Sequence, residues 1–213
     1  EGLYRIGMNA DLRLEIPGAG RAKIRRPDDT TRYWSKTTLP WMSFGYETQV
    51  PPINTLAFFN AIANDGKMVR PMFTKEILHN GKTVQSFSTE VINSSICSDH
   101  TLALIKDMLL GVVEKGTGKA VHSDIVRIAG KTGTAQNPRG ADNSVFICFA
   151  PKDDPKIAVA AYIENAGFGA TWAAPIASLL VEKYLNGEIS DQRRGLEDRV
   201  LQGNLMSKVK AYK

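Results

Sequence analysis

Apolar residues recur every three or four positions in three segments of the chain, which is the spacing of one helix face. The pattern predicts helices over about residues 52–64, 99–115 and 171–186. Each predicted helix is followed by a residue without a side chain, which can end a helix with a positive φ. These residues are Gly66, Gly116 and Gly187.

The segment between the second and third helices has the pattern of β-strands. The stretches VRIAGKTGTAQ, SVFICFAP and KIAVAAYIEN are separated only by NPRGADN and KDDP. Connections this short join antiparallel neighbours. The middle stretch is almost entirely apolar, so we predict that it is the central strand of a sheet. A separate surface hairpin is predicted around Asn80-Gly81, the preferred pair for a type I′ turn.

The two ends of the chain carry weaker patterns. Residues 1–40 are rich in turn formers and charge, which predicts long irregular connections with at most a short strand. Residues 188–213 form a polar tail with scattered leucines and valines. The tail pattern leaves open an amphipathic helix or a frayed end.

The composition is that of an ordinary globular fold, with 43% hydrophobic and 23% charged residues among 213. The net charge of +5 is scattered, so no nucleic-acid partner is predicted, while attraction to an anionic substrate stays open. Cys97 and Cys148 form no CxxC pair; whether they pair with each other is open, and Cys148 is expected in the core. No apolar run is long enough to span a membrane.

The candidate chemistry lies in RIAGKTGTAQNPRG, residues 127–140. A phosphate-binding loop needs G-x-x-x-x-G-K-[ST] between a strand and a helix. The position of its first glycine holds Ile125 for Lys131 and Val113 for Lys119. The residues after Lys131 also have the pattern of a strand and turn, so no helix N-terminus is available for phosphate. The sequence therefore excludes this loop.

An edge strand beside a cleft suits the same residues better. Gly133 has no Cβ, so a substrate backbone could approach and pair as an added strand. The N–H of Thr134 could point at a developing oxyanion, and Lys131 would attract a carboxylate. Thr134 and Gln136 offer neutral donors on one strand face. Taken alone, however, a three-residue KTG is common by chance, and an exposed lysine in an ordinary glycine-containing edge strand is then the favoured interpretation.

Longer stretches resemble the class B penicillin-binding proteins, whose transpeptidase signature includes K-T-G. The resemblance is strongest to their elongation-type members, penicillin-binding protein 2. It covers roughly residues 40–187, and residues 1–39 match only loosely. The stretches that carry it are WMSFGYETQVPPINTLAFFNAIANDGKMVRP, GVVEKGTGKA and AGKTGTAQNPRGADNSVFICFAPKDDPKIAVAAYIENAGFGATWAAPIASLLVEKYL.

The resemblance implies a mixed α/β fold of the α+β type, namely part of a β-lactamase/D,D-transpeptidase-like fold with an antiparallel sheet covered by helices. It implies a serine-type D,D-transpeptidase that cross-links peptidoglycan through an acyl-enzyme and needs no metal or organic cofactor. Lys131 and Thr134 become the catalytic candidates. Thr132, Gly133 and Gln136 become the substrate-binding candidates.

The implied partners are peptidoglycan stem peptides, β-lactam antibiotics and proteins of the cell-wall elongation machinery. The parent protein would be anchored in the bacterial inner membrane, with its catalytic domain in the periplasm. Two alternatives stay open. A β-lactamase or β-lactam-sensing domain would share the KTG strand, and a non-catalytic fragment could have a structural or partner-binding role.

Two elements that the family needs are missing ahead of the KTG strand. No serine there is followed by lysine three positions later, and no serine in the chain has asparagine two positions later. The family places both motifs before its S-F-G segment. We therefore expect residues 1–187 to be the C-terminal part of a transpeptidase domain that begins after them, in line with Glu1 in place of an initiator Met. We expect this fragment alone to be soluble and inactive.

Overall fold

The computed structural model describes residues 1–31 and 33–205, which form a mixed α/β fold. The helices are α1 (Gly2–Arg5), α2 (Thr38–Met42), α3 (Pro52–Ala63), α4 (Asp99–Glu114), α5 (Ala173–Asn186) and α6 (Arg194–Leu201). The strands are β1 (Lys23–Ile24), β2 (Thr48–Gln49), β3 (Met68–Val69), β4 (Glu76–His79), β5 (Lys82–Ser86), β6 (Val91–Asn93), β7 (Ala129–Ala135), β8 (Asn143–Ala150) and β9 (Ile157–Ile163).

The three predicted helices are confirmed as α3, α4 and α5, with boundaries that differ by at most two residues. Gly187 caps α5 in the left-handed region at φ 80°, and Gly66 follows α3 at φ 82°. The predicted hairpin is confirmed as β4 and β5, with both turn residues, Asn80 and Gly81, at positive φ. Both strands of this hairpin are exposed along their whole length.

The first forty residues differ from the sequence prediction. They contain the short strand β1, but also α1 and the start of α2, where only irregular connections were predicted. These helices have four and five residues, barely more than one turn. A single turn cannot show a repeating apolar face, so periodicity gives no signal for it.

The three long strands form one antiparallel sheet in the order β7-β8-β9, so the predicted central strand is confirmed as β8. The register pairs Gly133 with Val145, and Val145 with Tyr162. Because side chains alternate along a strand, β8 contributes to two separate cores. Phe146 packs with α5, whereas Phe149 packs with α3 and α4.

Helices therefore cover both faces of the sheet, and β8 is its most buried strand. Phe146 and Phe149 are fully buried, and burial of a side chain of this size contributes roughly 1.5–3 kcal/mol. Both cysteines are free thiols, and burial raises the pKa of the Cys148 thiol to about 12. Cys148 is a core residue, as predicted.

The described part of the tail packs on the domain through α5. Ile189 and Arg193 are buried, and α6 contacts α5. Glu182 of α5 is fully buried, and its Oε2 lies 3.1 Å from Nη1 of Arg193. The other carboxylate oxygen accepts the backbone N–H of Ser190 at 2.8 Å, and Arg193 donates to Ser178 Oγ at 2.6 Å. The described tail is thus helical and attached; residues 206–213 lie outside the described part.

No helix within residues 1–31 and 33–205 is both long and apolar enough to cross a lipid bilayer.

Candidate substrate-binding strand

The KTG residues lie on β7, which is an edge strand of the three-stranded sheet. In the described part of the chain β7 pairs with β8 and with no other strand. Alternate backbone groups of an edge strand point away from the sheet, where an additional strand can bind. Lys131, Thr134 and Gln136 are exposed, and Thr132 and Gly133 are half-buried. The five residues predicted from the sequence therefore lie together: four are on β7, and Gln136 directly follows its last residue.

The beginning of β7 is fixed by close packing on β8. Ala129 and Gly130 are buried, and a Cβ on Gly130 would lie 2.7 Å from Cys148 Cβ and 2.8 Å from Ile147 O. A real Cβ essentially never lies this close to another heavy atom, so only glycine fits here. The glycine before Lys131 thus positions the strand, a role that the sequence did not separate from that of Gly133.

The middle of β7 lies beneath the loop between β9 and α5. A Cβ on Gly169 would lie 2.2 Å from Val145 O and 2.4 Å from Gly133 O, so this loop crosses directly over the β7–β8 pair. Buried Ser144 holds the loop, because its hydroxyl donates to Phe168 O at 2.9 Å and accepts from Ala173 N at 3.1 Å. By contrast, a Cβ on Gly133 would lie 3.4 Å from Val145 Cβ, close to ordinary contact.

The ammonium of Lys131 lies along its own strand. Its Nζ donates to Thr132 O at 2.6 Å and lies 3.4 Å from Thr132 Oγ1. None of the carboxylates in the described part of the chain forms an ion pair with Lys131. Its charge is therefore available to an anionic ligand that arrives at the strand.

Two side chains from distant segments contact the strand, and sequence reasoning did not name either of them as a site residue. Thr117 Oγ1 lies 2.7 Å from Thr132 Oγ1, and the Tyr46 hydroxyl donates to Gln136 Oε1. Both lie in stretches that carry the family resemblance, GVVEKGTGKA and SFGYE. The resemblance identified the segments, but only the tertiary structure shows which residue of each segment reaches β7.

Tyr46 belongs to an aromatic group beside the end of β7. Its ring packs edge-on to Trp41 at 4.8 Å and to Phe44 at 5.3 Å between centroids. Trp41 and Phe44 remain 43% and 65% exposed, so the group presents apolar surface next to Gln136. The arrangement offers hydrogen-bonding groups and charge along the strand, with apolar surface at its far end.

No candidate nucleophile lies at β7 among the described serines that sequence reasoning weighed. Ser43 donates its hydroxyl to Pro40 O at 2.6 Å, as a local turn contact. One Ser-x-x-Lys spacing does occur in the chain, at Ser207 and Lys210. It follows the KTG strand, whereas the family places its motif ahead of it, and it falls outside the described residues.

An antiparallel sheet flanked by helices, with K-T-G on its open edge, is an arrangement that penicillin-binding transpeptidases share with β-lactamases. Residues 6–182 match the family described as the penicillin binding protein transpeptidase domain, and the chain belongs to this family.

Among its relatives is stage V sporulation protein D of Bacillus subtilis, at 34% identity over 155 residues that cover 67% of this chain and 24% of that protein. Peptidoglycan D,D-transpeptidase MrdA of Haemophilus influenzae is 31% identical over 162 residues, which again cover 67% of this chain and 24% of that protein. The chain thus spans about a quarter of the length of these two relatives.

Solved structures agree with this assignment. A D,D-transpeptidase domain from Eggerthella lenta superposes with a TM-score of 0.57 at 32% identity, over 66% of this chain and 33% of that one. The imipenem acyl-enzyme complex of penicillin-binding protein A from M. tuberculosis superposes with a TM-score of 0.72 at 22% identity, over 87% of this chain and 41% of that one. The predicted fold class, a partial transpeptidase-like fold with a helix-covered antiparallel sheet, is confirmed.

Proposed function

We propose that this chain is the C-terminal part of the transpeptidase domain of a peptidoglycan D,D-transpeptidase, and that β7 is the strand on which the substrate peptide lies. The observation that carries the proposal is the open edge of β7, with Lys131, Thr132 and Gly133 on it. The MrdA relative is named as a peptidoglycan D,D-transpeptidase, which supports the same assignment.

In the proposed reaction a serine hydroxyl attacks the carbonyl between the two D-alanines of a stem peptide. The C–N bond breaks, the terminal D-alanine leaves with a proton, and the remaining peptide stays as an ester on the serine. An amine of a neighbouring stem peptide then attacks the ester, forms the cross-link and releases the serine hydroxyl. A β-lactam would compete as an analogue of the donor peptide.

The four candidate residues on β7, and Gln136 directly after it, each have a separate role in this reaction. Lys131 attracts the terminal carboxylate of the donor and biases proton transfers nearby. The N–H of Thr134 stabilises the oxyanion, and its hydroxyl contacts the carboxylate. Gly133 lets the peptide approach the strand, while Thr132 and Gln136 supply further hydrogen bonds.

The serine would come from a part of the protein outside this chain, because no Ser-x-x-Lys precedes β7 here. Residues 1–187 would then complete a transpeptidase domain, followed by the tail of residues 188–213. We extend the proposal to the parent protein, as an inner-membrane anchored enzyme with a periplasmic catalytic domain that works with the cell-wall elongation machinery.

A peptide titration tests the binding role directly on this chain. Isotope-labelled chain is titrated with diacetyl-Lys-D-Ala-D-Ala, and the amide resonances are followed by NMR. We expect the changes to concentrate at residues 131–136. The same peptide with a C-terminal amide should bind more weakly, because Lys131 then has no carboxylate to attract.

Lys131→Ala is the matched variant for this titration. Because Lys131 is exposed, its attraction to the carboxylate is that of a surface ion pair, about 0.2–1 kcal/mol or roughly up to fivefold in Kd. We expect the Kd of Lys131→Ala for the acid peptide to rise by up to this factor, and its Kd for the amide peptide to be unchanged. Resonance changes away from β7, or no change with the acid peptide, would contradict the proposal.

A second experiment tests the missing nucleophile. We expect no covalent adduct when this chain alone is incubated with a labelled β-lactam and analysed by mass spectrometry, because acyl-enzyme formation needs the absent serine. A stoichiometric adduct on any serine of residues 1–213 would show that the chain carries its own nucleophile.

A further inference from the structure

The turn after α4 is held tightly against the last turn of that helix. The amides of Gly116 and Gly118 both donate to Val112 O, at 3.1 and 2.9 Å. A Cβ on Gly116 would lie 3.0 Å from Val112 Cα, and a Cβ on Gly118 would lie 3.3 Å from Val113 Cα. The close approach of the two glycines therefore fixes where the residue between them, Thr117, projects.

Thr117 projects onto the KTG strand. Its Oγ1 lies 2.7 Å from Thr132 Oγ1, which in turn lies 3.4 Å from the Nζ of Lys131. Thr117 is exposed and its hydroxyl is on a turn whose backbone is already fixed by other bonds. A hydrogen bond between such hydroxyls adds little to the stability of a fold, since water can replace it. The Thr117 hydroxyl instead affects the orientation of the Thr132 hydroxyl, which lies beside Lys131.

We propose that Thr117 is a positioning residue for the carboxylate site, an inference that rests on the proposed function. Thr117 donates its hydroxyl proton to Thr132 Oγ1. Thr132 then accepts from Thr117 on one of its two lone pairs, so its own O–H cannot point toward Thr117 and turns outward to donate to the carboxylate that Lys131 attracts. Thr117 itself touches no substrate. Without it, the Thr132 hydroxyl can donate into the gap left beside the turn, and the carboxylate loses a preoriented donor.

The test uses the peptide titration on this chain with Thr117→Val, which has nearly the same shape but no hydroxyl. We expect the Kd for the acid peptide to rise about three- to tenfold, the scale of one ordinary hydrogen bond, because the bond from Thr132 to the carboxylate is weakened and not removed. The Kd for the C-terminal amide peptide should stay nearly unchanged. The preference for the acid over the amide therefore falls, which a general structural defect would not produce.

Three controls make the test specific. Thr117→Ser keeps the hydroxyl and should retain the wild-type preference. Thr89→Val changes an exposed threonine in the segment between β5 and β6 and should also retain it. If Thr117 acts through Thr132, the double variant Thr117→Val/Thr132→Val should bind like Thr132→Val alone. Thermal unfolding confirms that each variant is folded.

The outcomes separate this inference from the proposed function. If the wild-type chain binds neither peptide, or binds acid and amide equally, the proposed function fails. If the wild-type chain prefers the acid and Thr117→Val prefers it to the same degree, only the positioning role of Thr117 is overturned. An equal loss for acid and amide would likewise overturn it, as a merely structural effect.

Discussion

At the scale of single residues, two glycines three positions apart on β7 are required for different reasons. Gly130 faces the core, where any Cβ would lie within 2.8 Å of Ile147 O. Gly133 has room for a methyl group against Val145, so the fold does not require glycine there. Because packing does not explain the glycine at position 133, we attribute it to the close approach of a ligand backbone.

We therefore expect Gly130→Ala to change the stability of the fold and Gly133→Ala to change peptide binding. Gly130→Ala should lower the free energy of unfolding by about 1–3 kcal/mol, the usual cost of overpacking a core. Gly133→Ala should unfold nearly like wild type in urea and yet weaken binding of the acid peptide. If Gly133→Ala binds normally, the approach of the peptide at Gly133 is excluded.

At the scale of elements, the turn that carries Thr117 depends on α4 ending in a fixed place. The helix begins at a defined point, because the Ser98 side chain accepts a hydrogen bond from Thr101 N at 3.3 Å. Its interior side is held by Leu102, Leu110 and Val113, which are buried. α4 also packs directly on β7, so the helix and the strand form one unit.

Ser98→Ala should lower the free energy of unfolding by about 1 kcal/mol, because a helix N-cap is lost. Ser98→Asp keeps an oxygen acceptor and should unfold close to wild type. Urea denaturation of the three proteins provides the comparison. Equal losses for alanine and aspartate would mean that the cap contributes nothing to α4.

Sequence periodicity predicted α3, α4 and α5 because each repeats its apolar spacing over two turns or more, and the three long strands were predicted from apolar runs joined by short connections. It also predicted which strand is central, since β8 is buried on both faces and has almost no polar positions. It could not predict the two side-chain contacts that distant segments make with β7 and the residue after it. Thr117 and Thr132 are 15 residues apart, and Tyr46 and Gln136 are 90 apart. Such pairs depend on tertiary packing, which leaves no local pattern.

At the scale of the whole molecule, one buried ion pair ties the tail to the domain. Glu182 is fully buried and Arg193 nearly so, and desolvation lowers the pKa of the arginine in spite of its carboxylate partner. The pair makes an ion contact at 3.1 Å without a well-aligned hydrogen bond between these two atoms. A pair like this is costly to break from one side, because the remaining charge stays buried.

Arg193→Met should therefore lower the free energy of unfolding by about 3–5 kcal/mol, since Glu182 is left charged and unpaired. In the double variant Arg193→Met/Glu182→Gln the buried group is neutral, and its amide oxygen can still accept the Ser190 N–H. We expect this double variant to recover part of the loss in urea denaturation. A double variant less stable than Arg193→Met would show that the charge of Glu182 is not the cause.

The open edge of β7 has a consequence for the molecule in solution. An unpaired strand that accepts a peptide presents the same backbone groups to another copy of itself, and sheets with such edges tend to associate. A lysine at the edge opposes this, because like charges meet when two such strands approach. Lys131 would thus have a second effect beside the one that we propose for it: the ammonium that attracts a carboxylate would also keep identical molecules apart.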